Sequence, residues 1–212
     1  MSGIETPYYP VFLDISNKTC LVAGGGRVAE RKVRLLLKFH ALITVVSPEV
    51  TRYLSGLAEK GRIEIRKRGY EESDLEGAAL IFAATDNGLI NARIKADAER
   101  EHIPVNVVDR PELCDFIVPS VVKRGPIVVA VSTSGTLPSL SKRLRTVISA
   151  EITRDYIKYA HILGEFRKHL IETEKNKAIR KAVMTELGRL DIEEVNRIGL
   201  REIKSRFLKS HT

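Results

Sequence analysis

Short apolar segments alternate with helix-forming segments along the first half of the chain. The apolar segments are rich in β-branched residues, which is typical of strands buried on both faces. They span 19–24, 42–47, 62–66, 79–85 and 104–109. The intervening segments have helical spacing or helix-forming residues, at 28–39, 48–60, 71–77 and 87–102. This alternation predicts an α/β fold, a Rossmann-like doubly wound parallel sheet between two layers of helices.

A different pattern follows this alternation. Residues 116–122 and 127–133 read as two strands joined by a short turn, and Pro119 and Pro126 favour edge or terminal positions. We expect an antiparallel pair that serves as a dimer contact. Helical patterns then continue to the end, at 139–173, 176–190 and 192–210, with Gly188 and Gly199 as helix ends or weak points. The predicted parts are 1–112 (dinucleotide-binding), 113–149 (dimerisation) and 150–212 (helical).

The charge balance predicts an anionic partner. The chain has 212 residues, a net charge of +8 and a pI near 9.5, which favours nucleic acid, a membrane surface or an acidic small molecule. After Lys142 the basic residues alternate with glutamates, which is typical of solvated helix faces, and aromatic residues make up only 6%. We therefore expect no nucleic acid as partner.

Membrane, secretion and metal signals are missing from the sequence pattern. No apolar run approaches the roughly 20 residues that span a bilayer, and the first residues lack a basic segment followed by an apolar one. The sequence therefore predicts a cytoplasmic protein without a membrane partner. Cys20 and Cys114 are the two cysteines, and neither they nor the histidines have metal-ligand spacing. His161, in a predicted helix, keeps a small chance of a role in a site.

A glycine-rich loop follows the first predicted strand. Gly24, Gly26 and Ala29 fit the pattern G-x-G-x-x-A. In such loops the first glycine permits a tight turn, the second lets the backbone approach a diphosphate, and the small third residue lets helix and strand pack closely. Because the loop opens the first predicted helix of the series, the context favours a dinucleotide site over a simple turn.

The residue that would bind the adenosine ribose is less clear from spacing. Glu49 is the only acid near the end of the second strand, slightly later than the usual position. Alternatively, Glu49 is an acid in the first turn of the next helix, after Pro48. Ser47 and Arg52 suit a 2′-phosphate instead. Spacing alone therefore leaves NAD and NADP open.

Polar residues also end the fourth and fifth strands, where ligands bind in open α/β sheets. Thr85 and Asp86 would line the cofactor groove, although Asp86 also suits a helix N-cap. Asp109 is a candidate general base or a turn aspartate before Pro111. Asn106 lies near the same edge or points into the sheet.

A hydroxyl-rich loop lies outside the β/α series. Ser132, Thr133 and Ser134 precede Gly135 and Thr136 at the start of a predicted helix. Their N–H and O–H groups would bind a substrate carboxylate or phosphate. A turn with a helix cap explains the same residues equally well.

Together these motifs resemble the family of precorrin-2 dehydrogenases and bifunctional precorrin-2 dehydrogenase/sirohydrochlorin ferrochelatases of siroheme synthesis. The resemblance runs in order over about residues 8–150 and is carried by four blocks. They are YPVFLDISNKTCLVAGGGRVAERKVRLLL, IFAATDNGLIN, NVVDRPELCDFIVPS and VAVSTSGTLP. It implies NAD-dependent oxidation of precorrin-2, a reduced tetrapyrrole bearing acetate and propionate groups, to sirohydrochlorin. A polyanionic substrate of this kind suits the basic charge balance.

The resemblance also implies individual roles. Residues at the diphosphate loop are Gly24, Gly26, Arg27 and Val28, and those beside the ribose are Pro48 and Glu49. Asp109 matches the aspartate proposed to act in dehydrogenation and, in bifunctional members, in metal insertion. The family forms homodimers through its middle segment. Whether ferrous iron is a further substrate of this chain stays open.

Two other functions fit parts of the sequence. A nucleotide-sensing regulatory module would pair the dinucleotide domain with the basic helical tail, although the tail has no recognisable groove-reading motif. A chelatase with a vestigial nucleotide fold is a further alternative, and the intact Gly24 and Gly26 argue against it.

Overall fold

A computed structural model describes residues 8–209 of the chain. The fold consists of two compact units, with the boundary between Val118 and Pro119. Each unit is described by itself below. The division into three parts expected from the sequence remains a prediction, and its outermost residues, 1–7 and 210–212, lie outside the described residues.

The first unit is built on a sheet of five parallel strands in the order β3-β2-β1-β4-β5. The strands are β1 (Thr19–Ala23), β2 (Leu42–Val46), β3 (Glu64–Arg66), β4 (Ala78–Ala83) and β5 (Val105–Val107). The helices are α1 (Arg27–Leu37), α2 (Arg52–Glu59) and α3 (Gly88–Arg100). The strand order reverses at β1, as in a doubly wound sheet, so the predicted Rossmann-like fold is confirmed.

Alternate side chains of β1 supply the two hydrophobic layers of this unit. Cys20 and Val22 face the layer that α1 and α2 complete, with Val33 and Leu54. Leu21 and Ala23 face the opposite layer, with Ile94 of α3. Every β1 residue from Cys20 to Ala23 is fully buried, so β1 is the centre of the unit. The loop that follows β1 therefore begins from a strand that is packed on both faces.

Two predicted helices differ from the observed ones. Helix α2 begins at Arg52 rather than at residue 48, because the Thr51 hydroxyl caps it by accepting from the Leu54 N–H. The segment predicted as helical at 71–77 forms only a short 3₁₀ turn, Glu72–Leu75, closed by a capping box between Glu71 and Asp74.

The second unit contains an antiparallel hairpin and four helices. The predicted strand pair is confirmed as β6 (Ser120–Arg124) and β7 (Ile127–Val131). The helices are α4 (Pro138–Glu151), α5 (Arg154–Thr173), α6 (Lys177–Leu187) and α7 (Ile192–Lys209). Phe166, Leu187 and Phe207 form part of a core shared by α5, α6 and α7.

Helix ends in this unit follow the glycines in part. Gly188 ends α6, and Gly199 interrupts α7 with φ 72° and ψ 176°, so both are the helix end or weak point expected. The helical pattern over 139–173 forms two helices, α4 and α5, because the chain leaves helical geometry at Ile152 and Thr153. Within residues 8–209, no helix combines the length and apolarity that crossing a membrane requires.

Candidate functional site

The loop after β1 is shaped by Gly24. Its φ of +114° is rarely adopted by residues with a side chain, and a Cβ there would lie 2.2 Å from the Ala84 carbonyl oxygen. The Gly24 N–H donates to the Val46 carbonyl at 2.9 Å, and the Ala84 N–H donates to the Ala23 carbonyl at 2.7 Å. Gly24 therefore lets the ends of β1, β2 and β4 meet at the point where the strand order reverses.

Gly26 lies in open surroundings at the start of α1. It is exposed, and a Cβ there would have no heavy atom within 4 Å. Gly26 is the N-cap of α1 and no side chain caps the helix, so the first N–H groups face outward with the positive end of the helix dipole. Arg27 is exposed, Val28 is half-buried, and the fully buried Ala29 packs against the sheet. These residues fit the diphosphate of a dinucleotide.

The loop after β2 is built against the loop after β1. The Ser47 hydroxyl donates to the Glu49 carbonyl at 2.6 Å, and the Thr51 N–H donates to the Gly25 carbonyl at 2.9 Å. Pro48 and Glu49 are exposed. The alternative in which Glu49 belongs to the first turn of a helix is wrong, because Thr51 caps α2 and the helix begins at Arg52.

Asn91 of α3 holds the loop after β4, and sequence reasoning missed it. The Thr85 hydroxyl donates to Asn91 Oδ1 at 2.7 Å, and Asn91 Nδ2 donates to the Thr85 carbonyl at 3.0 Å. Asp86 is exposed and is not the N-cap of α3, because Asn87 takes that role by accepting from the Leu89 and Ile90 N–H groups. The available signal for Asn91 was a polar residue at helical spacing between apolar positions of α3.

Asp109 follows β5 at the same edge of the sheet. It is exposed and has a φ of +60°, a conformation that residues other than glycine adopt rarely and often at functional sites. The Val108 N–H donates to the Ala83 carbonyl at 2.9 Å, and the Arg110 N–H donates to the Val107 carbonyl at 3.4 Å. The backbone on either side of Asp109 is therefore fixed while its carboxylate faces solvent.

Asn106 points onto the layer of the sheet that α1 covers, and it is buried. Its Nδ2 donates to the Phe116 carbonyl at 2.9 Å and to Cys114 Sγ at 3.4 Å. Its Oδ1 accepts from Lys32 Nζ at 3.3 Å. The sequence left two positions open for Asn106, at the ligand-binding edge or pointing into the sheet, and its side chain points inward.

Lys32 is a second residue that sequence reasoning missed. Burial lowers the pKa of its ammonium, and the neighbouring Arg31 lowers it further, while Cys114 and Asp109 act in the opposite direction. Its Nζ lies 5.2 Å from the centre of the Phe82 ring. The signal was its position three residues after Ala29 and four before Leu36, which is the inner face of α1.

The two cysteines are not paired with each other. Burial raises the pKa of Cys20 to about 11. Burial also raises the pKa of Cys114, whose Sγ accepts from the Val107 N–H at 3.2 Å. Within the described residues no three His, Cys, Asp or Glu side chains converge in an arrangement that would hold a metal ion.

The hydroxyl-rich loop belongs to the second unit. The Ser134 N–H donates to Ser132 Oγ at 3.0 Å, and the Leu137 N–H donates to Thr133 Oγ1 at 3.2 Å, just before α4. Ser132 and Ser134 are exposed, and Thr133 is half-buried. The hydroxyls of Ser132 and Thr133 therefore stabilise a turn, and no side chain caps α4 itself. The substrate-binding role expected for the three residues remains a prediction.

In the first unit, the predicted residues therefore meet along one edge of the sheet. The diphosphate loop, the loop after β2, the Thr85 loop and Asp109 all follow the carboxyl ends of parallel strands. A family model described as "NAD_binding_7: Putative NAD(P)-binding" matches residues 11–120, which contain all of them. The chain belongs to this family.

Matches to individual proteins extend beyond the family segment. The chain is 46% identical to a siroheme synthase of Methylobacillus flagellatus over 159 residues, which are 75% of this chain and 34% of that protein. It is 44% identical to a siroheme synthase of Nitrosospira multiformis over 164 residues, 76% of this chain and 35% of that protein. The resemblance noted from the sequence is thereby confirmed. The chain spans about a third of the length of these relatives.

One solved structure matches almost the whole chain. It is described as SirC, precorrin-2 dehydrogenase, and superposes with a TM-score of 0.74 at 28% identity. The match covers 96% of this chain and 98% of that one. The similarity to this structure therefore extends over residues of both units.

Proposed function

We propose that the protein oxidises precorrin-2 to sirohydrochlorin in siroheme biosynthesis, with NAD as electron acceptor. The observation that carries this proposal is the pairing of an open glycine loop at the strand-order reversal with an exposed aspartate after β5. The match of nearly the whole chain to a precorrin-2 dehydrogenase supports the choice of substrate.

The dinucleotide would lie along the carboxyl edge of the sheet. Gly24, Gly26, Arg27 and Val28 would bind the diphosphate through backbone N–H groups and the end of α1. Pro48 and Glu49 would contact the adenosine ribose, and Thr85 and Asp86 would line the groove further along. When bound, NAD supplies a nicotinamide ring that accepts a hydride from the substrate carbon.

NAD fits the loop after β2 better than NADP does. The Ser47 hydroxyl donates within the loop and is not free to bind a 2′-phosphate. The exposed Glu49 carboxylate would accept hydrogen bonds from a ribose diol and would repel a phosphate.

In this mechanism, Asp109 removes the proton that accompanies the hydride. Oxidation of the macrocycle breaks two bonds to hydrogen, and the second hydrogen leaves as a proton. Asp109 would accept that proton and pass it to water, since its carboxylate is exposed. The rigid backbone around Asp109 would fix the carboxylate relative to the substrate.

The proposed partners also include a second copy of the chain and ferrous iron. We expect a homodimer formed through 113–149, because Leu137, just before α4, and Leu140, Leu144 and Val147 of α4 are exposed by 40–54%. The hydroxyls of Ser132, Thr133 and Ser134 would contact the substrate. Asn106, the fourth residue expected to contact it, points inward, so its contribution would be indirect. Ferrous iron is a candidate second substrate, with Asp109 accepting the pyrrole protons. The cytoplasmic location expected from the sequence remains a prediction.

An anaerobic incubation tests the reaction. Purified protein is mixed with precorrin-2 and NAD, and the tetrapyrrole and NADH absorbances are followed together. We expect equal amounts of NADH and sirohydrochlorin. Ferrous iron is then added to detect siroheme. If precorrin-2 yields neither NADH from NAD nor NADPH from NADP, the dehydrogenase proposal is rejected. A missing siroheme band would reject only iron insertion.

Replacing Asp109 tests its role as the base. We expect Asp109→Ala to lower kcat by about 10²- to 10⁴-fold, because a general base contributes by that factor. NAD affinity, measured by titration, should stay within about twofold. An unchanged kcat would remove Asp109 from the mechanism. Because Asp109 is exposed, circular dichroism should show an intact fold.

A further inference from the structure

The Lys32 ammonium is half-buried without a carboxylate partner. Among the residues that the structure describes, it forms no ion pair, and its one hydrogen bond goes to Asn106 Oδ1 at 3.3 Å. The Phe82 ring lies below it. Buried charges in proteins are normally paired with an opposite charge, so this ammonium lacks the partner that its burial calls for.

Asn106, on the edge strand β5, accepts the hydrogen bond from Lys32. Both Nδ2 hydrogens of Asn106 are used, toward the Phe116 carbonyl and Cys114 Sγ, so the amide cannot rotate without losing them. The orientation that remains presents Oδ1 to Lys32. An ammonium has three N–H donors, and one of them is used here, so the other two are free for a ligand.

The location of Lys32 connects it with the proposed reaction. Asn106 lies on the strand that leads directly to Asp109, and Lys32 interacts electrostatically with Asp109 without pairing with it. A cation near the proposed base would meet a substrate bound for oxidation. Such a cation binds a carboxylate through charge-assisted hydrogen bonds, and carboxylates are the anionic groups that the proposed substrate carries.

We propose that Lys32, oriented by Asn106, binds an acetate or propionate carboxylate of the tetrapyrrole substrate. This inference rests on the proposed function, because it assigns a subsite to the same substrate. The Lys32 side chain acts on substrate binding and not on the dinucleotide, whose proposed contacts lie in the glycine loop and at the N-terminal end of α1, whereas Lys32 lies in the middle of the helix.

The test uses the full chain with Lys32→Met, Lys32→Arg and, as the matched control, Lys38→Met. Lys38 is an exposed lysine at the C-terminal end of α1, where it is the C-cap residue. The methionine keeps the length of the side chain and packs on Phe82, so the variant should fold, and thermal melting checks this. Affinities for uroporphyrin, a stable tetrapyrrole octacarboxylate, and for NAD are measured by fluorescence titration.

We expect Lys32→Met to weaken uroporphyrin binding and raise the KM for precorrin-2 by about 10- to 100-fold, the loss of one charge-assisted hydrogen bond. NAD affinity should change by less than about twofold, Lys32→Arg should recover part of the loss, and Lys38→Met should behave as the wild type. Unchanged tetrapyrrole binding in Lys32→Met would overturn the inference, as would an equal loss of NAD affinity.

Failure of the proposed function gives a different result. If the wild-type protein itself binds neither uroporphyrin nor precorrin-2, the substrate assignment is wrong for the whole site. The proposed carboxylate subsite at Lys32 is then rejected as well. If the wild type turns over precorrin-2 and Lys32→Met does so with the same KM, only the subsite is wrong.

Discussion

Gly24 and Gly26 lie in one loop, but an added methyl group would meet different surroundings at each. At Gly24 it would overlap the Ala84 carbonyl oxygen, and φ is positive. At Gly26 it would project into open space. Gly24 therefore serves the fold by letting strands meet, and Gly26 leaves open space that the proposed function assigns to the dinucleotide.

Alanine at each position should separate these roles. We expect Gly24→Ala to lower the free energy of unfolding by about 2–5 kcal/mol, from backbone strain and overlap. Gly26→Ala should cost at most about 1 kcal/mol but weaken NAD binding about tenfold or more. Urea denaturation and NAD titration measure the two effects. Similar unfolding energies for both variants, or undiminished NAD binding by Gly26→Ala, would contradict this assignment.

The site residues that the sequence did not reveal depend on contacts between distant positions. Gly24, Gly26 and Asp109 were predictable because local motifs fix where they lie. Lys32 meets Asn106 across 74 positions of the chain, and Asn91 supports Thr85 only because α3 packs beside β4. A single sequence shows the residue types at such positions but not which of them meet.

At the scale of elements, β1, β2, β4 and β5 were predictable because they are short apolar runs whose residues are mostly buried. In β3 only Ile65 is apolar, and Glu64 is exposed. The ends of the helices were less predictable, because each depends on a single capping residue such as Thr51, the N-cap of α2. The break between α4 and α5 has no glycine or proline at Ile152 or Thr153, so the pattern gave no reason to expect it.

The turn after β3 is stabilised by the buried carboxylate of Asp74. Asp74 accepts from Arg66 at 2.8 Å, from Arg68 at 2.7 and 2.8 Å and from the Glu71 N–H at 2.9 Å. Burial alone would raise its pKa, but these hydrogen bonds outweigh burial and lower it from 3.8 to about 2. The folded chain therefore binds the proton less readily than the unfolded chain.

This pKa shift predicts acid sensitivity. The Asp74 contribution, about 2 kcal/mol, should be complete above pH 4 and lost as the pH falls toward 2. We expect Asp74→Asn to be less stable than the wild type at pH 7, with a difference that narrows across that range. Urea denaturation at several pH values measures it, and a difference independent of pH would contradict the account. Glu76→Gln, at an exposed neighbouring position, is the control.

At the scale of the molecule, every residue proposed to hold the dinucleotide belongs to the unit that ends at Val118. Both hydrophobic layers of that unit are complete within it, including Phe116 and Val118 at its end. The residues Ser132, Thr133 and Ser134, which are proposed to contact the substrate, follow Pro119 and belong to the second unit.

The first unit alone should therefore bind the cofactor. We expect a fragment of residues 1–118 to fold and to bind NAD within about tenfold of the full chain, while lacking precorrin-2 oxidation. Circular dichroism and NAD titration test this, with the fragment carrying Gly26→Ala as the control. A folded fragment without NAD affinity would show that the second unit contributes to cofactor binding.

Gly25 has a consequence for attempts to alter cofactor preference. A Cβ at this position would lie 1.9 Å from the Glu49 carbonyl oxygen, so the segment proposed to face the ribose lies directly against the segment proposed to face the diphosphate. Redesign of residues 47–51 toward NADP would therefore displace the phosphate cradle as well. Engineering of the two segments has to proceed jointly, with each new ribose-side sequence selected together with a compatible sequence at 24–27.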